Sequence, residues 1–241
     1  MKKLIFGFIG LILISNTSYS QDKCDLLVVN GKEYKWEAID PTKVASLHNV
    51  YIEEAVKLSL LDVEQNDKDV LLKIGIPNVT NEYLSCLIDK ISTTSDSEMD
   101  NIINTNLSNQ TSRNLYSKIL EALSGDKSVN DISDDLSSIR NEIKNLSNQK
   151  DKDILLTCLE TGLASATFWL SEEKGGNGLG YKYTHTPGVN KSNGDTRFKK
   201  DMRGAGYGMV CWSFSAFLGP VGAAGLAYGA ISGALVSSFL P

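Results

Sequence analysis

Residues 204–241 read GAGYGMVCWSFSAFLGPVGAAGLAYGAISGALVSSFLP and hold no charged side chain. Within them Gly225, Gly229 and Gly233 recur every fourth position, so in a helix all three lie along one side. A groove of bare backbone lets a second helix approach closely, which is how small-xxx-small segments associate in membranes. The same groove suits a tight hairpin buried in a protein core. Gly219-Pro220 divides the stretch into two limbs, 204–218 and 221–240. At helical rise the second limb is about 30 Å long, matching a bilayer's hydrocarbon core, and the first only about 22 Å. The stretch therefore predicts a helical hairpin. Gly222, Gly225, Gly229, Gly233 and Trp212 are its expected contact residues, facing either lipid or another helix. Gly and Ala add little insertion energy compared with Leu or Ile, so self-burial is the competing expectation.

Upstream, residues 171–203 combine Gly175, Gly176, Gly178 and Gly180 with Tyr181-Lys182-Tyr183, Pro187 and a Lys/Asn/Asp-rich turn. This composition predicts an exposed Gly-rich loop joining the hairpin to the body. Asp151 to Leu170 differs: Ile154, Leu155, Leu159, Leu163, Phe168 and Trp169 occupy most faces of a helix, which marks a central one. Between Ser92 and Asp153 the chain turns polar. Even so, Leu115, Ile119, Leu120 and Leu123 make one stripe, and Val129, Ile132, Leu136, Ile139, Ile143 and Leu146 another. The second follows a 3.5-residue repeat, expected of a mobile arm or an outer layer.

Nearer the start, Asp40-Pro41 opens a helix whose apolar positions Val44, Leu47, Tyr51, Ala55 and Leu58 run to about Leu61. Val70 to Ile74 is a short apolar run, and Thr80 caps a helix faced by Tyr83, Leu84, Leu87, Ile88 and Ile91. Residues 24–36 read as a small β-hairpin around Asn30-Gly31. Residues 1–20 carry Lys2 and Lys3, an apolar run and Ser18-Tyr19-Ser20, the pattern of a cleaved secretory signal peptide. The expected product is exported, to the periplasm, cell envelope or outside.

Cleavage near Gln21 would leave 22 basic against 29 acidic residues, a formal charge of −7. An acidic chain without clustered Lys and Arg argues against nucleic acid as a partner. Four cysteines remain: Cys24, Cys86, Cys158 and Cys211. In an exported chain they are candidates for disulfides, Cys24–Cys86 with Cys158–Cys211, or else for four buried thiols. They are too dispersed for a zinc site, so no metal ligand set is expected.

Few residues suggest chemistry, and neither a catalytic residue nor a cofactor is expected. Gly175 to Gly180 follows a helix rather than a strand, which reads as a flexible linker and not a phosphate loop. His48 and His185 are the two histidines; His48 is expected to be a hydrogen-bonded or partly exposed helix residue. The pairs Glu53-Glu54, Asp134-Asp135 and Glu172-Glu173 read as solvated faces.

The signal peptide, Leu47-His48-Asn49, the segment Leu163 to Trp169 and the Gly/Ala-rich ending resemble a group of exported Bacteroidota proteins with a glycine-zipper, bacteriocin-like tail. The resemblance implies membrane association through about 38 residues and supplies no catalytic residue. The expected fold is mainly α: a helical domain over 21–170 with its β-hairpin at 24–36, the loop 171–203, and the hydrophobic glycine-zipper hairpin 204–241. Two functions fit it, and a third, a hydrolase, would need His48 or His185 beside a nucleophile. One is a protein whose tail contacts or inserts into membranes, a bacteriocin-like toxin being its sharpest form. The other is a soluble, non-enzymatic envelope binding or structural protein with the tail in its own core.

Overall fold

Asp40 opens the first helix as its position predicts: its Oδ1 accepts from Thr42 N and Lys43 N, each at 3.1 Å. That helix, α1 (Pro41–Leu61), is the first described element of a mainly helical chain. The computed structural model describes residues 38–61, 67–76, 79–186, 197–214 and 223–239. The expected signal peptide and β-hairpin, Cys24, Gly222 and the Gly219-Pro220 break lie outside the described residues. The others form α2 (Asp67–Ile74), α3 (Asn81–Thr93), α4 (Asp96–Asn106), α5 (Gln110–Ala122), α6 (Val129–Lys144) and α7 (Gln149–Trp169). A 3-10 turn (Glu172–Lys174), α8 (Leu179–Thr184), α9 (Arg197–Phe214) and α10 (Ala223–Phe239) follow, and no strand occurs among the described residues.

The polar stretch folds through its caps. Ser95 and Glu98 make a capping box at the start of α4, and Ser128 and Asp131 another at α6. Each satisfies two backbone donors that a helix start leaves orphaned. Thr80, Asn109 and Asn148 cap α3, α5 and α7. Helix α4 escapes the periodicity argument because its buried side is only Met99 and Ile103. Ile132, Leu136, Ile139 and Ile143 are buried where α6 packs on α5 and α7, so this helix is an outer layer of the bundle.

Helix α7 is central, as its nearly all-round apolar sequence predicts. Ile154, Leu155, Cys158, Leu159 and Trp169 are fully buried, and α7 meets α1, α5, α6, α8 and α9. The hairpin limb α10 is equally enclosed. It packs on α9, α1, α2 and α3, and Ala230, Ile231, Ala234, Leu235 and Val236 have no exposed surface. No described helix is long and apolar enough to cross a membrane.

The loop expected over 171–203 is corrected over its described residues, 171–186 and 197–203. Gly175 and Gly178 take positive φ (82° and 71°) and fold the chain tightly from the 3-10 turn into α8. Gly176 N donates to Ser171 O at 2.9 Å, and Asn177 N donates to Thr167 O at 2.8 Å, fastening the turn to the end of α7. Tyr183, Phe198 and Arg197 are buried, so the segment's two ends belong to the core. The first hairpin limb likewise begins at Arg197, seven residues before the charge-free stretch. In its charged first two turns Arg197, Asp201 and Arg203 find partners inside the bundle.

Candidate functional site

The glycine zipper closes on the protein itself. On α9, Gly204 and Gly208 are four apart and face Gly229 and Gly233 of α10. A Cβ on Gly208 would stand 2.9 Å from the Gly229 carbonyl carbon and 3.0 Å from Gly233 Cα. One on Gly233 would stand 2.9 Å from Gly208 Cα. Backbone lies against backbone, closer than any side chain permits. Of the expected contact residues, Gly229 and Gly233 are thus brought together with α9. Gly225 lies in the first turn of α10 and Trp212 in the last turn of α9. The two partner glycines were missed by the sequence reading, although Gly204 and Gly208 carry the same spacing of four. Between them Gly206 points another way, toward α7 and α4: a Cβ there would meet Cys158 Sγ at 2.7 Å and Ile103 Cδ1 at 2.9 Å.

A buried polar junction holds the open end of this hairpin. Asp201, in the second turn of α9, has no exposed surface. Its carboxylate accepts from Ser165 Oγ on α7, from Ser238 Oγ near the end of α10, and from Trp169 Nε1 on α7 at 2.9 Å. Arg197, one turn earlier, lays its guanidinium over the Trp169 ring, 4.7 Å from the centroid, and donates from Nη1 to the Ser238 carbonyl. That places a cation at the C-terminal end of α10, where the helix dipole favours one. His48 of α1 completes the group, fully buried, with Nε2 3.5 Å from Ser238 Oγ and 3.8 Å from Asp201 Oδ2. Asn49 orients the ring. Its Nδ2 donates to Ala164 O at 2.8 Å, leaving Oδ1 to accept from His48 Nδ1 at 3.1 Å.

Burial dominates the electrostatics. It holds His48 below its ordinary 6.5, against the opposing pull of Asp201 and of the Asn49 bond. Burial pushes Asp201 above the usual carboxylate range, while His48 and the three donors pull it down. It also lowers Arg197, against the fields of Asp201, Tyr183 and Asp67. The carboxylate accepts three donors, so we assign Asp201 as ionised beside Arg197, with His48 neutral and protonated at Nδ1.

Ser238, His48 and Asp201 are the residue types of a hydrolytic triad, but their wiring differs. The same imidazole nitrogen faces both the hydroxyl and the carboxylate, and the serine donates directly to Asp201. A relay needs the carboxylate on the opposite ring nitrogen. What this arrangement does is tie α1, α7, α9 and α10 together at one point.

A second clamp holds α9 from the other side. Arg203 Nε and Nη2 grip Asp100 of α4 at 2.8 and 3.1 Å, and Nη1 reaches Asp96 at 2.9 Å. Tyr116 of α5 donates to the same Asp100 at 2.6 Å. Such bidentate, charge-assisted contacts are the strong kind.

The expected Cys158–Cys211 pairing is overturned: both are free, buried thiols. Cys158 lies against Gly206, whereas Cys211 is five residues farther along α9. Five residues mean about 7.5 Å of rise and a rotation of roughly 140°, so the two sulfurs face different neighbours. Burial pushes each thiol up to about 12. Cys86 is disulfide-bonded, which overturns the alternative of four reduced thiols. His185 stacks on Tyr181 at 4.0 Å and donates from Nδ1 to the Tyr181 carbonyl at 2.8 Å, on the surface. Glu53, Asp135 and Glu172 pair with Lys57, Lys127 and Lys182 at 2.6, 2.7 and 3.0 Å, as solvated faces do. Among the described residues no group of His, Cys, Asp and Glu could hold a metal ion.

Comparison with protein-family models, with curated proteins and with solved structures finds no significant match.

Proposed function

We propose that the chain is an exported, non-catalytic helical protein of the cell envelope, acting by binding or as a structural element, with its glycine-zipper hairpin as its own core. One observation carries this reading: Gly204 and Gly208 interlock with Gly229 and Gly233, so the groove that suits a partner helix is already filled. The buried Asp201 junction adds to it, since an ionised carboxylate at its base makes a hairpin costly to place in lipid. The disulfide at Cys86 supports export, because such bonds persist in oxidising compartments. The test is flotation of the mature chain with phosphatidylcholine vesicles at neutral pH, alongside thermal unfolding. The expected result is no vesicle binding and a single cooperative transition. Dye release from the vesicles at neutral pH would refute it.

A second reading keeps the membrane as partner, with a bacteriocin-like toxin as its sharpest form. What favours it is the unbroken run of 38 residues without charge. It demands that the interlock open first.

A further inference from the structure

Among the described residues, the polar junction sits at one end of the hairpin. Arg197 and Asp201 belong to the first two turns of α9, and Ser238 to the last turn of α10. Among the described residues from Gly204 onward the seam is mostly apolar or backbone to backbone, apart from the Ser237 hydroxyl beside Gly204 and the Tyr207 hydroxyl bonded to Thr94. The C-terminal end of α10 is therefore fastened by three groups: the Arg197 guanidinium on the Ser238 carbonyl, the Asp201 carboxylate on the Ser238 hydroxyl, and His48 beside both. While His48 is neutral the junction holds one cation, Arg197, facing Asp201 and the more distant field of Asp67. A proton on Nε2 makes a second buried cation with the same single carboxylate beside it. Of the other elements packed here, α8 contributes Tyr183 and α2 contributes Asp67, whose fields reach Arg197. Helices α7 and α10 contribute only Ser165, Trp169 and Ser238, which do not titrate.

We propose that acidification opens the junction of His48, Asp201 and Ser238 and frees the C-terminal end of α10 to bind a lipid surface. The freed segment is uncharged and carries Ile231, Leu235, Val236 and Phe239, all buried in the closed chain, and a bilayer is the partner that takes such a surface without needing complementary charge. The direction follows from linkage. His48 is held below 6.5 in the folded chain, so as pH falls through 6.5 the opened state takes up a proton that the closed state refuses. Closure is fully favoured above that value and weakens below it. Asp201 is raised above the usual carboxylate range and acts in the opposite sense: once pH falls through that raised value the closed state takes up its proton, which offsets the histidine effect. The window of opening therefore begins just below the ordinary histidine value. At about pH 5.5, one unit below it, the shift toward the open state reaches at most about tenfold.

This inference rests on the core reading of the hairpin, and the experiment separates the two. Hydrogen exchange of the mature chain is followed at about pH 7.5 and about pH 5.5, corrected for intrinsic rates. Protection of 223–239 at the higher pH tests the core reading. Its loss at the lower pH, relative to 129–144, tests the latch. The expected result is a loss of up to about tenfold in 223–239, abolished by His48→Gln, with flotation on phosphatidylcholine vesicles only at the lower pH. Zwitterionic lipid excludes simple charge attraction. Should H48Q fail to fold, histidine-labelled wild-type chain gives the same answer by NMR, because it holds only His48 and His185. Protonation of His48 with α10 still protected overturns the latch. So does a protection ratio that ignores pH, and opening without vesicle binding overturns the lipid step.

Discussion

Replacing Gly208 by Ala isolates the contact on which the core depends. The new methyl would stand 2.9 Å from the Gly229 carbonyl carbon and closer still to its oxygen, both backbone atoms that cannot rotate away. Carbon contacts settle at about 3.5–4.0 Å, so α9 and α10 must part by roughly 0.5–1 Å. A gap of that size forfeits about a quarter to a half of the dispersion energy of each contact along the seam. Overpacking of this kind costs about 1–3 kcal/mol, and an immovable backbone neighbour puts it at the upper end. Ala returns about 1 kcal/mol through helix propensity. The expected net loss is about 2 kcal/mol, or about 4–8 °C in Tm for a chain of this length. Circular dichroism melts at neutral pH measure it. Gly162→Ala is the control: there the methyl meets the end of the Leu123 side chain, at 2.6 Å, which can swing aside. It gains the same propensity, so its Tm should stay within a few degrees of wild type. A Gly208→Ala melt equal to or above that of Gly162→Ala would refute the interlock as the seat of stability.

Three further outcomes are expected. Asp201→Asn leaves the Arg197 guanidinium without its buried counter-charge and puts an amide among three donors, at a cost of about 3–5 kcal/mol in chemical denaturation. Cys158 and Cys211, pushed up to about 12 and enclosed, should resist alkylation at neutral pH in the folded chain. Both should react fully in denaturant, and prompt labelling under native conditions would contradict their placement. Ser128→Ala removes a reciprocal cap from α6 and should cost about 0.5–2 kcal/mol, seen first as faster amide exchange over 129–144.

The sequence alone determined the helices that carry a stripe or a cap. Asp40-Pro41 and Thr80 are local signals complete within one turn, and the six apolar positions of 129–146 repeat within a single helix. The central place of α7 was equally legible, because a helix apolar on nearly every face can be nowhere else. Helix α4 was not legible, since two buried residues make no period. Neither was the fold of 171–203, whose glycines suit a loose linker as well as a tight turn against the end of α7. Only the tertiary structure decided what fills the glycine groove. Spacing four on Gly225, Gly229 and Gly233 places a bare stripe on one helix but cannot say whether lipid, a partner or the chain itself covers it. The answer lay in Gly204 and Gly208, and in polar groups up to 190 residues apart in sequence that meet around Asp201. Helical periodicity is a property of neighbours along the chain, whereas a buried ion and its donors are assembled only when four helices close around them.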